Sequence, residues 1–283
     1  LTASLRSHLA GRRWHAGRRL PADLPDMALD TARLPRLLDE LAVIARVAGD
    51  AILEVYRGDF QARTKDDASP VTEADERAEA LIVPALERLT PGVPVVAEEA
   101  VAAGRVPVVD DEFWLVDPLD GTKEFIGRNG EFTVNIALVR HGVPVAGVVF
   151  APALDRLFAG AAGGHAWVEQ AGVRRPLQVR PVPDAGLTVV GSRSHADATA
   201  LESFLAGRCV AQVRAAGSSL KFCLVAAGEA DLYPRFGRTM EWDIAAGHAV
   251  LAAAGGCVED LDGAPMRYGK PGFENPHFVA RGR

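Results

Sequence analysis

Asp117 and Asp120 stand three residues apart in the run Trp114-Leu115-Val116-Asp117-Pro118-Leu119-Asp120-Gly121-Thr122-Lys123-Glu124-Phe125. The three apolar residues before Asp117 predict a short buried strand that ends on a carboxylate. Pro118 to Gly121 then predicts a turn, and Thr122 opens a helix after a glycine. Two carboxylates on a rigid turn converge on one hard cation, with the Leu119 carbonyl between them as a third oxygen. Magnesium fits such a site, because it demands oxygen ligands in near-octahedral geometry and keeps several waters. The N–H groups of Gly121 and Thr122, at a helix start, offer a seat for a phosphate oxygen. Taken alone, an Asp-x-x-Asp-Gly run is more often a plain strand end and turn.

Two further acidic stretches change that weighing. Val95-Val96-Ala97 reads as another apolar strand, ending on Glu98 and Glu99, and Glu241-Trp242-Asp243 opens the small-residue helical pattern of Ile244-Ala245-Ala246-Gly247. A first Glu, then D-P-L-D-G-T, then W-D-x-A-A-G, in this order, resembles the signature set of the inositol monophosphatase-like family of magnesium-dependent phosphatases. The resemblance runs from about Leu37 to the C-terminus. Within it, residues 114–139 and the run Gly217-Ser218-Ser219-Leu220-Lys221 resemble the 3'(2'),5'-bisphosphate nucleotidase branch.

That resemblance implies a site of two or three magnesium ions. Glu98 and Asp117 would share one ion with the Leu119 carbonyl, and Asp117, Asp120 and Asp243 would hold a second. Asp75 and Thr122 look like the family's water-orienting pair, with Glu98 assisting as general base. His195, Ser218, Lys221 and Arg235 match nucleotide-binding positions. Lys221 and Arg235 would grip the remaining 5'-phosphate through charge-assisted hydrogen bonds, His195 and Ser218 would line the nucleoside pocket, and Gly121, Thr122 and Asp243 would complete the substrate contacts. Each has a plainer reading: Lys221 as a solvated helix residue, His195 as a helix cap, Asp75 as the partner of Thr122 in a capping box with Asp for the usual Glu. The implied reaction is hydrolysis of the 3'-phosphate of adenosine 3',5'-bisphosphate and of its sulfated analogue, as in sulfur assimilation, with lithium inhibition. An inositol or broad sugar phosphatase is the alternative enzyme, and a phosphonucleotide or metal sensor the alternative outside enzymes.

The 283 residues carry a formal net charge of −6, which argues against general nucleic-acid binding and leaves an anionic small molecule to be drawn in by metal ions and local cations. No apolar run is long enough to span a membrane. Cys209, Cys223 and Cys257 fit no zinc or redox spacing and read as buried free thiols of a cytoplasmic protein. His165, His248 and His277 likewise have no metal spacing. Peripheral membrane association and oligomeric state stay open.

The elements that must position these groups follow from periodicity. Residues 1–32 are arginine-rich with little pattern; a targeting peptide, a basic arm for a membrane or partner, and an extension outside the fold compete there. Residues 34–56 predict an amphipathic helix stopped at Gly58, and a second helix follows Asp75, with Pro84 predicting a kink or break. Residues 132–140, 145–150, 156–161, 166–169 and 177–179 predict a largely antiparallel sheet. After a Pro- and Gly-rich break, strands at 187–190 and 210–213 alternate with helices at 196–205, 219–227 and 244–254. The chain thus divides into an extension (1–32), an α+β part with most metal ligands (33–183) and an α/β part with the nucleotide pocket and the last ligand (184–283). The family resemblance implies that both parts join in a layered αβαβα sandwich.

Overall fold

Leucines and alanines at three- and four-residue spacing bury one face of α1 (Leu34–Arg57), the first helix of the computed structural model, which describes residues 33–64, 70–192 and 198–283. A two-stranded ribbon, β1 (Ala62–Thr64) and β2 (Pro70–Thr72), leads into α2 (Glu73–Leu89). Thr72 caps α2 through a complete capping box: its hydroxyl accepts from the Ala74 amide at 3.2 Å, and Asp75 Oδ2 accepts from the Thr72 amide at 2.8 Å. Asp serves here in place of Glu. Contrary to expectation, α2 runs unbroken through Pro84. Pro84 and Ala80, whose carbonyl loses its N–H partner, both lie on the exposed side of the helix, where water takes the missing donor's place.

Seven strands follow as one sheet: β3 (Val95–Ala97), β4 (Glu112–Asp120), β5 (Thr133–Arg140), β6 (Val143–Ala151), β7 (Arg156–Ala161), β8 (His165–Gln170) and β9 (Val173–Pro176). Only β3 and β4 pair in parallel; the rest is an antiparallel meander. Two short helices, α3 (Glu98–Ala102) and α4 (Thr122–Ile126), lead off the ends of β3 and β4. Residues 177–179, expected as a strand, are not one. Leu177 and Val179 are buried, but their amides go to Ala166 and Ala254, so the alternation marks a buried connection rather than a ladder.

The second sheet has the order β11-β10-β12-β14-β13, formed by β10 (Leu187–Gly191), β11 (Val210–Ala215), β12 (Leu232–Arg235), β13 (Cys257–Asp260) and β14 (Phe278–Arg281). The last three are too short to betray a period of two. Helices α5 (Ala198–Leu205), α6 (Leu220–Ala226) and α7 (Glu241–Ala253) complete the fold. Of the three thiols expected to be buried, Cys223 of α6 is buried and Cys257 half-buried, but Cys209, in the loop before β11, is exposed.

The layers follow from which faces are apolar. α1 and α2 cover one face of the seven-stranded sheet through Trp114, Val134, Ile136 and Val148, and the opposite face, through Phe113, Leu115, Ala137 and Val149, meets α6 and α7. α7 is buried all round, as its alanines and glycine require. It lies so close to the sheet that a Cβ at Gly160 would stand 2.5 Å from the Val250 Cα. The five-stranded sheet packs on the other side of this helix pair, and Phe204 of α5 covers its outer face with Val189 and Leu232. The architecture is the αβαβα sandwich. α7 ends, at its N-terminus, beside the carboxylates of β4.

Candidate active site

A strand alternates its side chains, so residues three apart should point to opposite faces. Asp117 and Asp120 escape this by a β-bulge. Asp117 pairs with Asn135 and Asp120 with Thr133, so Pro118 and Leu119 face the single residue Val134. The extra residue sends Leu119 into the core under α1 and α2 and turns Asp120 to the same side as Asp117, toward α7. β4 therefore continues through the Pro-Leu-Asp segment that reads as a turn in the sequence, and the ladder itself sets the carboxylate pair.

Asp243 arrives from the first turn of α7, where its Oδ2 accepts from the Met240 amide at 2.8 Å. Glu98 arrives from the first residue of α3. Ligand oxygens of Glu98, Asp117 and Asp243 all lie within 4.8 Å of one another. Burial, then the charges of Glu98, Asp120 and Asp243, hold the Asp117 carboxyl well above the usual carboxylate range. Asp243 is raised well above it too, by burial and then by Asp120 and Glu98. Asp120 is pushed up to about 6 by burial, against the opposing pull of Lys221 and of hydrogen bonds from Asn135 and Ser219. Four carboxylates gathered at this point form an all-oxygen donor set whose repulsion a bound cation would relieve.

Asp75 is 2% exposed and serves two elements at once. Its Oδ2 accepts from the Thr72 hydroxyl at 2.7 Å, while its Oδ1 faces the Thr122 hydroxyl at 3.4 Å. That hydroxyl also stands 3.5 Å from the Leu119 carbonyl. Gly121, just before Thr122, has a φ of 92°, the left-handed region that lets the chain turn from the bulge into α4. Glu79, which the sequence reading passed over, lies one helical turn beyond Asp75 on the same buried stripe. Its Oε2 accepts from the Glu99 amide at 2.8 Å and so anchors the start of the helix that carries Glu98. Burial raises its pKa. A charged residue on the apolar face of α2 was the available signal.

A cavity of about 500 Å³ opens beside the carboxylates, lined by Asp120, Gly121, Ser218, Lys221, Arg235 and Asp243 among others. Lys221 is not solvated: it is 5% exposed, donates to the Ser218 carbonyl at 2.6 Å and the Ala216 carbonyl at 3.2 Å, and lies over the Tyr233 ring. Burial brings its pKa down to about 8, opposed by the charge of Asp120. Ser218 takes a left-handed φ of 46°, and its buried hydroxyl has no partner within the protein. Arg235 stands at the end of β12 and donates to the Arg238 carbonyl at 3.3 Å. His195 lies outside the described residues. His248 is buried on α7, bonded to the Tyr268 hydroxyl at 2.8 Å and away from the cluster.

The layered αβαβα fold with an acidic cluster at a strand bulge and a helix start defines a metal-dependent phosphatase class. The chain belongs to the inositol monophosphatase family, whose profile matches residues 36–279; enzymes of this family depend on metal, generally magnesium. It is 52% identical over 245 residues to the 3'(2'),5'-bisphosphate nucleotidase CysQ of Escherichia coli (strain K12), an alignment covering 86% of this chain and 98% of that protein. The crystal structure of CysQ from Bacteroides thetaiotaomicron, 38% identical, superposes with a TM-score of 0.73 and covers 87% of this chain and 97% of its own. An inositol monophosphatase from Anabaena (Nostoc) sp. PCC 7120 gives 27% identity and a TM-score of 0.68, over 88% of this chain and 91% of its own. Among the described residues no helix is long and apolar enough to cross a membrane.

Proposed function

We propose that this protein is a magnesium-dependent 3'(2'),5'-bisphosphate nucleotidase that removes the 3'-phosphate of adenosine 3',5'-bisphosphate, and of its sulfated analogue, acting in the cytoplasm. The observation that carries the reading is the buried cation Lys221 facing the same cavity as Asp120 and Asp243. One end of that cavity suits metal ions and a scissile phosphate; the other offers positive charge to a second anionic group. An inositol monophosphate has no second anionic group for Lys221 to answer. The higher identity to the Bacteroides CysQ than to the Anabaena inositol monophosphatase supports the same choice.

The donor set fits magnesium: Glu98, Asp117, Asp120 and Asp243 with the Leu119 carbonyl are all hard oxygens. These residues would hold two or three ions. Bound there, such ions neutralise phosphoryl charge and make a water nucleophilic at neutral pH. The protein's part is orientation and proton movement. The Thr122 hydroxyl, held between Asp75 Oδ1 and the Leu119 carbonyl, fixes the attacking water, and Asp75 accepts its proton through that hydroxyl, assisted by Glu98. Gly121 and Thr122 offer amides to the phosphate oxygens. Ser218 and Arg235 line the nucleotide end with Lys221. His195 is assigned to the same pocket from sequence alone.

The test is a phosphate-release screen with magnesium across adenosine 3',5'-bisphosphate, inositol phosphates and fructose bisphosphate. The bisphosphate should be preferred by at least tenfold in kcat/KM, an estimate of about 1.4 kcal/mol or more. Faster turnover of an inositol phosphate would reject the reading.

A further inference from the structure

Asn135 is an amide fully buried in the middle of β5, and nothing in the metal or nucleotide roles above uses it. Its Oδ1 accepts from the Thr133 hydroxyl at 3.0 Å, so its Nδ2 points toward the carboxylates. That nitrogen donates to Asp120 Oδ2 at 3.3 Å and to the Ser219 hydroxyl oxygen at 3.1 Å. Ser219, itself 1% exposed, donates its own amide to the same Asp120 oxygen at 2.6 Å and its hydroxyl to the Asp243 carbonyl at 2.5 Å. A serine hydroxyl has one proton and two lone pairs, so giving its proton to the Asp243 carbonyl while accepting from Asn135 fixes the direction of both bonds.

The three acidic side chains share a pattern. Asp117 commits Oδ1 to the Leu119 amide at 3.0 Å, Asp243 commits Oδ2 to the Met240 amide, and Asp120 commits Oδ2 to Ser219 and Asn135. Each keeps its other oxygen for a cation. For Asp117 and Asp243 the committing amide is local, within three residues. For Asp120 the donors come 15 and 99 residues further along the chain. One of them, Ser219, lies next to Ser218 and two residues before Lys221, in the turn that walls the nucleotide end of the cavity.

We propose that Asn135 and Ser219 are positioning residues that fix which oxygen of Asp120 faces the cation site and tie that site to the turn 216–219, so that magnesium and nucleotide bind synergistically. The nucleotide half of this inference rests on the function proposed above; the magnesium half does not. Ordering of the turn by a nucleotide then places Asp120 and the start of α7 in advance for the metal, and the coupling is reciprocal.

The test reads magnesium binding to the full chain by calorimetry, with and without 5'-AMP as probe, in the wild type, Ser219→Ala, Asn135→Ala and the double variant. Ser219→Ala removes one hydroxyl and leaves the amide on Asp120. It should raise the magnesium Kd about three- to tenfold, the loss of a hydrogen bond, and abolish the tightening by 5'-AMP. The 5'-AMP Kd without metal should stay within about twofold. Because the bond between Asn135 and the Ser219 hydroxyl is shared by both residues, the loss in the double variant should fall short of the sum of the two single losses. A lowered Tm with unchanged magnesium Kd, or additive losses in the double variant, would overturn the proposal. If Ser219→Ala fails to fold, Asn135→Ala supplies the same readout. If 5'-AMP does not bind the wild type, the substrate assignment fails, and the magnesium shifts alone decide the positioning role.

Discussion

On one wall of the cleft Glu98, Asp117, Asp120 and Asp243 stand where a strand gives way to a helix, at a bulge, or in a helix's first turn. On the other, Ser218, Lys221 and Arg235 stand on a left-handed turn, inside a short helix and at the end of a four-residue strand. The first wall is held by the sheet ladder, by backbone amides within three residues of Asp117 and Asp243, and at Asp120 by the distant donors Asn135 and Ser219. The second is held by side chains: Lys221 folds back onto the carbonyls of Ala216 and Ser218 in its own turn, and Glu131 reaches across to the Gly217 amide. The difference matches the two tasks proposed for the walls, metal binding and nucleotide choice. Like charges crowded together must be prevented from relaxing apart, which only a rigid frame can do. A pocket that chooses among nucleotides can be shaped by exchangeable contacts, and loops carry such variation at least cost to the fold.

If the carboxylate wall is a frame for metal, neutralising one ligand should abolish function and spare the fold. Asp117→Asn and Asp243→Asn should each lower kcat/KM by roughly a thousandfold or more, over about 4 kcal/mol. The metal-free variants should melt no lower than the metal-free wild type, because burial and repulsion already disfavour the charged carboxyls. Retention of most magnesium-dependent activity in either variant would dissolve the wall as described.

Removing metal from the wild type gives a related, smaller effect. Asp120 has its pKa raised from 3.8 to about 6 in the folded chain. Between these values the folded state binds more protons than the unfolded one, so the stability of the metal-free protein falls as pH rises through this window. The loss contributed by Asp120 is on the order of 2–3 kcal/mol, complete above about pH 6. Thermal melts in chelator at pH 5 and 7 should reveal this component as a loss of stability toward pH 7, and magnesium should reverse it. A metal-free protein whose stability at pH 7 is insensitive to both Asp120→Asn and magnesium would show that the crowding is relieved some other way.

The two walls also differ in how far the sequence exposes them. The acidic motifs are local runs, and their order carries the family resemblance that implies the ligand set. Their convergence is less visible: Pro118 reads as a turn, and only the pairing of Asp117 with Asn135 and Asp120 with Thr133 shows that one extra residue swings both carboxylates to one face. Asn135 breaks an otherwise apolar alternation and Glu79 sits on a buried stripe, so both were detectable as anomalies, though their partners were not. Ser219 lay inside a run that carries the resemblance, yet nothing marked a role for it, since one more serine in Gly217-Ser218-Ser219 looks like turn chemistry. α1 and the meander were legible because their periods are long and regular; β12, β13 and β14 were not, at four residues each. The continuity of α2 through Pro84 depended on which side of the helix faces solvent, which a tertiary contact decides.

On the nucleotide wall, Lys221→Met should keep most of the buried volume while removing the charge. Use of adenosine 3',5'-bisphosphate should then fall relative to adenosine 3'-monophosphate by about tenfold to a hundredfold, the loss of a charge-assisted hydrogen bond of roughly 1.5–3 kcal/mol. Loosening of the turn, through the lost bonds to Ala216 and Ser218, should lower both rates together and leave the ratio alone. An unchanged ratio would leave the metal wall standing and remove the phosphate grip.

Glu131→Gln gives the smallest effect and probes the seam between the walls. Glu131 Oε2 accepts from the Gly217 amide at 2.7 Å, and its own amide donates to Asn129 Oδ1 at 2.9 Å, so it joins the loop after α4 to the turn that carries Ser218. Gly217 is needed for this approach, since a Cβ there would lie 2.6 Å from the Glu131 carbonyl oxygen. Glutamine keeps an acceptor in place but exchanges a charged bond for a neutral one, a loss of roughly 0.5–1 kcal/mol. The KM for the bisphosphate should therefore rise about two- to fivefold, with kcat held and, at saturating bisphosphate where the nucleotide itself orders the turn, the magnesium concentration for half-maximal activity unmoved. The reason for the last expectation is position: Glu131 meets the turn at Gly217, whereas the carboxylates meet it two residues on, at Ser219, where Asp120 and Asn135 hold the chain. Strain released at Gly217 has to pass that anchor to reach the metal. A magnesium requirement that rose in step with KM would mean that the anchor yields, and the two walls would then be one mechanical unit rather than two joined at Ser219.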